Sequence, residues 1–162
     1  MKKNIKDKVI DYVFKVSQQP ILLRDLLQAN AYYNEGMYVD GAKLGFRINI
    51  IKAYTAYAVV CLIIITPIFL LTHNFFANLD FHISVLGSIF TTSCVFIGFT
   101  FFKSYLKDGI ARKQIKKAWA VHFPFFAYEK YNKKVEEAYQ EALKKDIAKK
   151  DLEQYVLDTL LR

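Results

Sequence analysis

Residues 53–72 read AYTAYAVVCLIIITPIFLLT, and residues 83–102 read ISVLGSIFTTSCVFIGFTFF. Neither stretch carries a charge, and each is long enough to cross the hydrocarbon core of a bilayer. Each holds about ten Leu, Ile, Val or Phe residues. At about −0.3 to −0.6 kcal/mol apiece near a helix centre, these favour insertion by several kcal/mol. Thr, Ser and Pro67 reduce that margin without reversing it. A chain of 162 residues has too little left outside these blocks to build a core that hides both. The fold class expected is all-α: a two-helix transmembrane hairpin with helical cytoplasmic N- and C-terminal segments.

The connector, HNFFANLDFH at 73–82, has one Asp and neither Lys nor Arg. Its length forces the two spans to be antiparallel neighbours. The opposite flanks are rich in cations: Lys43, Arg47, Lys52, Lys103, Lys107, Arg112, Lys113, Lys116 and Lys117. The positive-inside bias therefore puts both termini in the cytoplasm and the connector outside. Tyr54, Tyr57 and Tyr105 suit the inner interface, and Phe75, Phe76 and Phe81 the outer one. The formal charge of +8 is explained by anionic lipid headgroups, with no need for nucleic acid. Abundant Lys, Ile, Phe, Tyr and Asn fit an AT-rich bacterial genome, so a bacterial cytoplasmic membrane is the expected location.

Three consecutive segments follow: 1–52 leading into the membrane, 53–102 the hairpin, and 103–162 a basic interfacial and cytoplasmic segment. Ile5, Val9, Val13 and Val16 recur at helical spacing. A second helix is expected from Pro20 to Ala31, and a turn region in the glycine-containing stretch from Tyr32 to Phe46. From Ala42 the chain is read as running helically into the first span. After the second span, Gly109 marks an expected bend. The stretch IARKQIKKAWAVHF then fits either a basic helix lying at the lipid surface or a plain extension of the span. A long helix is expected from about Pro124 to Lys145, and a last one from Lys149 to Leu161, with Asp151 near its N-terminus.

Ser84, Gly87, Ser88, Thr91, Cys94 and Gly98 fall on one face of the second span. Small residues there let helix backbones approach closely, so they are the candidate packing residues, with Ala56, Cys61 or Thr66 or another copy opposite. The hydroxyls would also suit a polar lining, but no charged residue accompanies them, as ion paths require. Tyr128, Tyr131, Tyr139, Tyr155 and Leu160 lie on apolar faces of the two C-terminal helices. These faces either dock a partner or close a small helical domain with residues 1–40.

No phosphate-binding glycine loop or dinucleotide fingerprint is present. His73, His82 and His122 lack the spacing of a metal site, and Cys61 and Cys94 sit alone among apolar residues. No catalytic residue, metal site or cofactor is therefore expected. A potassium-filter sequence and a connector long enough for a pore helix are also missing. The expected function is non-enzymatic: a small inner-membrane accessory, scaffold or assembly factor that binds a larger membrane complex or itself. A homo-oligomeric pore is the alternative, with a membrane immunity protein a further one.

Overall fold

A computed structural model describes residues 4–77 and 81–161, without the side chains of residues 73–77 and 81–82. Six helices carry the fold: α1 (Ile5–Val13), α2 (Leu23–Asn34), α3 (Ile50–Ala77), α4 (Phe81–His122), α5 (Tyr128–Lys144) and α6 (Leu152–Leu161). Two three-residue strands, β1 (Phe14–Val16) and β2 (Phe46–Ile48), pair as a ribbon. The chain is all-helical apart from this ribbon, and α3 and α4 are long and apolar enough to span a membrane.

Contacts divide the chain differently from the three consecutive segments read from the sequence. One unit comprises Met1–Lys15 and Ile48–Asp108, and the other Val16–Arg47 and Gly109–Arg162.

The first unit contains α1, α3 and the first part of α4. Ile10 and Val13 of α1, Phe14 just after it, Ala53 of α3 and Leu106 of α4 are its buried residues among those described. The helical periodicity that includes Val16 does not hold to its end. α1 stops at Val13, where the carbonyl accepts the N–H of Asn49 at 2.9 Å instead of continuing the helix. Phe14 is then extended. Asn49 caps α3: its Oδ1 accepts the N–H of Lys52 at 3.2 Å, and its carbonyl accepts that of Ala53 at 2.9 Å.

The expected helix from Ala42 into the first span is not formed. Asp40 Oδ1 takes the N–H of Ala42 at 2.9 Å, and Gly45 has φ of +67°, a conformation open to glycine. The chain therefore turns over residues 40–45 and enters β2. The ribbon is antiparallel, because Val13 pairs with Asn49 and Ser17 with Gly45.

Helical backbone also extends further than expected at the candidate spans. α3 continues past Thr72 to Ala77 and α4 begins at Phe81, so most of the 73–82 connector is helix. Residues 78–80 lie outside the described residues, as do the side chains of Phe75, Phe76 and Phe81 expected at the outer interface. α4 shows no break at Gly109. A helical Gly costs roughly 1 kcal/mol relative to Ala. Burial of its neighbours Leu106, Ile110 and Ala111 offsets this. The plain continuation of the span is the form adopted.

The second unit packs α2, α5, α6 and the later turns of α4 around one core. Leu26, Leu27, Ile115, Trp119, Phe123, Val135 and Val156 are almost completely buried in it. Trp119 Nε1 donates to the carbonyl of Phe126 at 2.6 Å, and its ring meets Phe123 and Tyr128. This fixes the corner between α4 and α5. α5 starts at Tyr128 and not at Pro124, because Ala127 is still extended. α2 similarly starts at Leu23, three residues after Pro20.

α2 and α5 are tied by polar contacts. Asn30 Nδ2 donates to the carbonyl of Asn132 at 2.8 Å, and Asn34 Nδ2 to Glu136 at 2.7 Å.

Candidate functional site

The two candidate spans expose nearly everything they carry. From Tyr54 to Thr72, and from Ile83 to Tyr105, not one described side chain is buried. Leu71 is 86% exposed and Phe101 is 73% exposed. A helix of this composition inside a soluble protein would be mostly covered, since each fully buried Leu or Phe gains about 1.5–3 kcal/mol.

The spans touch near their basic ends. Tyr57 donates to the carbonyl of Val95 at 2.7 Å. The Tyr54 ring stacks on Phe99 with centroids 4.2 Å apart, while Tyr57 meets Phe99 edge-on and Phe102 at a tilt. Gly98 faces Tyr57, whose hydroxyl occupies the space a Cβ would need. The partner of this glycine is therefore Tyr57, and not the Ala56, Cys61 or Thr66 named for the stripe.

The remaining stripe residues divide. Ser84, Gly87 and Gly98 are partly covered, whereas Ser88, Thr91 and Cys94 are exposed. Ser88 and Thr91 return their hydroxyl hydrogens to the carbonyls of Ser84 and Gly87, both at 2.9 Å. Thr92 and Ser93 do the same with Ser88 and Ile89. Hydroxyls satisfied by their own helix are compatible with an apolar solvent.

The basic residues also divide. In the first unit, Lys103 lies over the Phe99 ring, and Lys107 is engaged by a neighbour. Two further cations join them: Lys6 stands over the Tyr105 ring at 4.0 Å, and Lys52 over Tyr12 at 4.8 Å. Lys6 and Tyr12 lie on α1 and were missed as surface candidates, because periodicity alone does not place α1 beside α3. Such cation–aromatic pairs hold a charge beside apolar surface while leaving it reachable from water.

In the second unit, Lys43 donates to Gln28 at 2.9 Å, and Arg47 and Arg112 are exposed. Lys113 has a partner. Lys116 pairs with Glu129 and sits over Tyr128. That ammonium holds the Glu129 carboxyl below its ordinary range. Lys117 is exposed.

The proposed docking tyrosines require correction. Tyr128, Tyr139 and Leu160 are buried against the chain's own helices. Tyr131 and Tyr155 are half-buried; the first packs edge-on against Phe126, and the second accepts a hydrogen bond from Lys145 at 3.1 Å. The apolar faces of α5 and α6 close the second unit instead of waiting for a partner. Burial pushes the phenols of Tyr128 and Tyr139 above their usual range.

Among the described residues, no group of three or more His, Cys, Asp or Glu converges as a metal site would require. Set against known proteins, the chain matches no family model, no curated protein and no solved structure.

Proposed function

We propose that the chain is a small non-enzymatic accessory or assembly factor of a bacterial cytoplasmic membrane. In this reading α3 and α4 cross the bilayer as an antiparallel hairpin. The connector lies outside, and both termini lie in the cytoplasm. The second unit is a folded helical body held at the membrane, and Lys6, Lys52, Lys103 and Lys107 meet anionic headgroups.

The observation that carries this reading is that no described side chain is buried along the two uncharged stretches, Tyr54–Thr72 of α3 and Ile83–Phe102 of α4. In water, that apolar area would drive aggregation. Among lipid tails it is in its preferred solvent, and the helical backbone bonds its polar groups internally, apart from the donor that Pro67 removes from α3. The cation asymmetry between connector and flanks supports this orientation.

With the tyrosine faces closed by the chain itself, partner contact is assigned to the membrane, at Ser88, Thr91 and Cys94. A larger membrane protein or a second copy would pack there, because small residues allow close backbone approach. The pore reading gains nothing from the hydroxyls, which are bonded to their own helix.

Extraction in mild detergent, followed by mass measurement of what co-purifies, tests the assignment. The expected result is a stoichiometric membrane partner or a small oligomer, lost on Thr91→Phe. Monomeric protein with no partner, or single-channel steps in planar bilayers abolished by the same substitution, contradicts it.

A further inference from the structure

Gln114 is a polar residue in an apolar position. It lies on α4 between Lys113 and Ile115 and is only 5% exposed. Among the described residues, the fully enclosed side-chain polar atom without a partner is Asn30 Oδ1 and not the Gln114 amide, which reaches solvent through the cleft it borders.

The amide borders a cleft of about 210 Å³ lined by Ser17–Ile21, Leu44, Lys117, Ala118, Val121 and His122. The cleft is large enough for about seven waters or one small organic molecule. Its walls are fixed by hydrogen bonds. His122 Nε2 donates to the carbonyl of Ile21 at 2.8 Å, Ser17 N–H to Gly45 at 2.6 Å, and Gln19 N–H to Ser17 Oγ at 3.1 Å.

The lining has a distinct chemistry. It contains one ammonium, Lys117, and no carboxylate. Gln114 supplies two N–H donors, and Ser17, whose Oγ already accepts, retains a hydroxyl hydrogen to give. Pro20, Ile21, Leu44 and Val121 supply apolar surface beside these donors. An anionic oxygen group would take charge-assisted bonds from Lys117 and Gln114, and a short hydrocarbon body would cover the apolar wall.

We propose that this cleft binds a small amphiphilic anion, a carboxylate or phosphate monoester on a short apolar chain, held by Gln114 and Lys117. The site lies wholly within the second unit and does not depend on the membrane reading.

The test is NMR titration of the full chain in nonionic detergent, following the Gln114 side-chain amide, which is assigned by its loss in Gln114→Leu. The probes are hexanoate, butyl phosphate and neutral hexanol. Saturable shifts with either anion, and none with hexanol, support the site; the anion that saturates identifies the group. Lys117→Gln should weaken binding roughly tenfold, and Gln114→Leu should do the same when followed through neighbouring amides. If Gln114→Leu does not fold, the exposed Lys117→Gln still carries the test. Absence of saturation with both anions, an equal response to hexanol, or unchanged affinity in Lys117→Gln overturns the proposal.

Discussion

Tyr57 fills the space that Gly98 leaves open, and its hydroxyl donates to the carbonyl of Val95 at 2.7 Å. Hydrogen bonds between membrane helices contribute on average less than 1 kcal/mol, because the separated helices also find partners. Tyr57→Phe should therefore destabilise the hairpin by ~0.5–1.5 kcal/mol. Gly98→Ala should cost a similar amount, since the new methyl displaces the hydroxyl. In the Tyr57→Phe background the same substitution should cost little, because the ring carbon lies 3.6 Å from the new Cβ, an ordinary contact. A double-mutant cycle of thermal unfolding in detergent measures this coupling, and strict additivity counts against the pairing.

Trp119 is the only tryptophan in the chain and is 2% exposed. Its emission should therefore be blue-shifted in the folded protein and should report the second unit alone. Trp119→Ala removes the indole together with its bond to Phe126, a loss of about 3–5 kcal/mol. That is large against typical domain stability. Circular dichroism should show helix loss concentrated in the second unit, with α3 and the apolar part of α4 retained. Emission at the wavelength of water-exposed indole in the native protein would contradict the packing described.

Alkaline stability depends on Tyr128. Burial raises its pKa in the folded state, so the unfolded chain ionises it first. Its contribution is complete below the unfolded value of about 10 and is lost as pH rises through the higher folded value. Tyr128→Phe removes this loss while keeping the aromatic contact with Trp119. The variant should unfold at higher pH than the parent in an alkaline titration followed by circular dichroism. Tyrosinate absorbance should also lose part of its late-titrating component, the part from Tyr139 remaining. Identical alkaline midpoints would remove Tyr128 from the account.

The two long apolar helices were legible in the sequence because an uncharged run of this length has few alternatives. The ribbon was not. Val16 continues the spacing of Val9 and Val13, and nothing local reveals that Asn49 takes the Val13 carbonyl. The apolar faces with Tyr128 and Tyr139 were visible as faces, but periodicity says only that a face must be covered and not by what. Gly109 suggested a bend, although burial on both sides of it keeps α4 continuous. Gln114 escaped notice because it stands among lysines, where a polar residue is unremarkable until its burial is known.

The central claim is that α3 and α4 cross a bilayer with both chain ends on one side. Single cysteines at Ile5, Asn78 and Leu161, in a background lacking Cys61 and Cys94, can be labelled with a membrane-impermeant maleimide in intact cells and in inverted vesicles. The account predicts that position 78 reacts only from outside the cell, and positions 5 and 161 only in inverted vesicles. Reaction of all three from one face, or recovery of the protein in the soluble fraction without detergent, would contradict it.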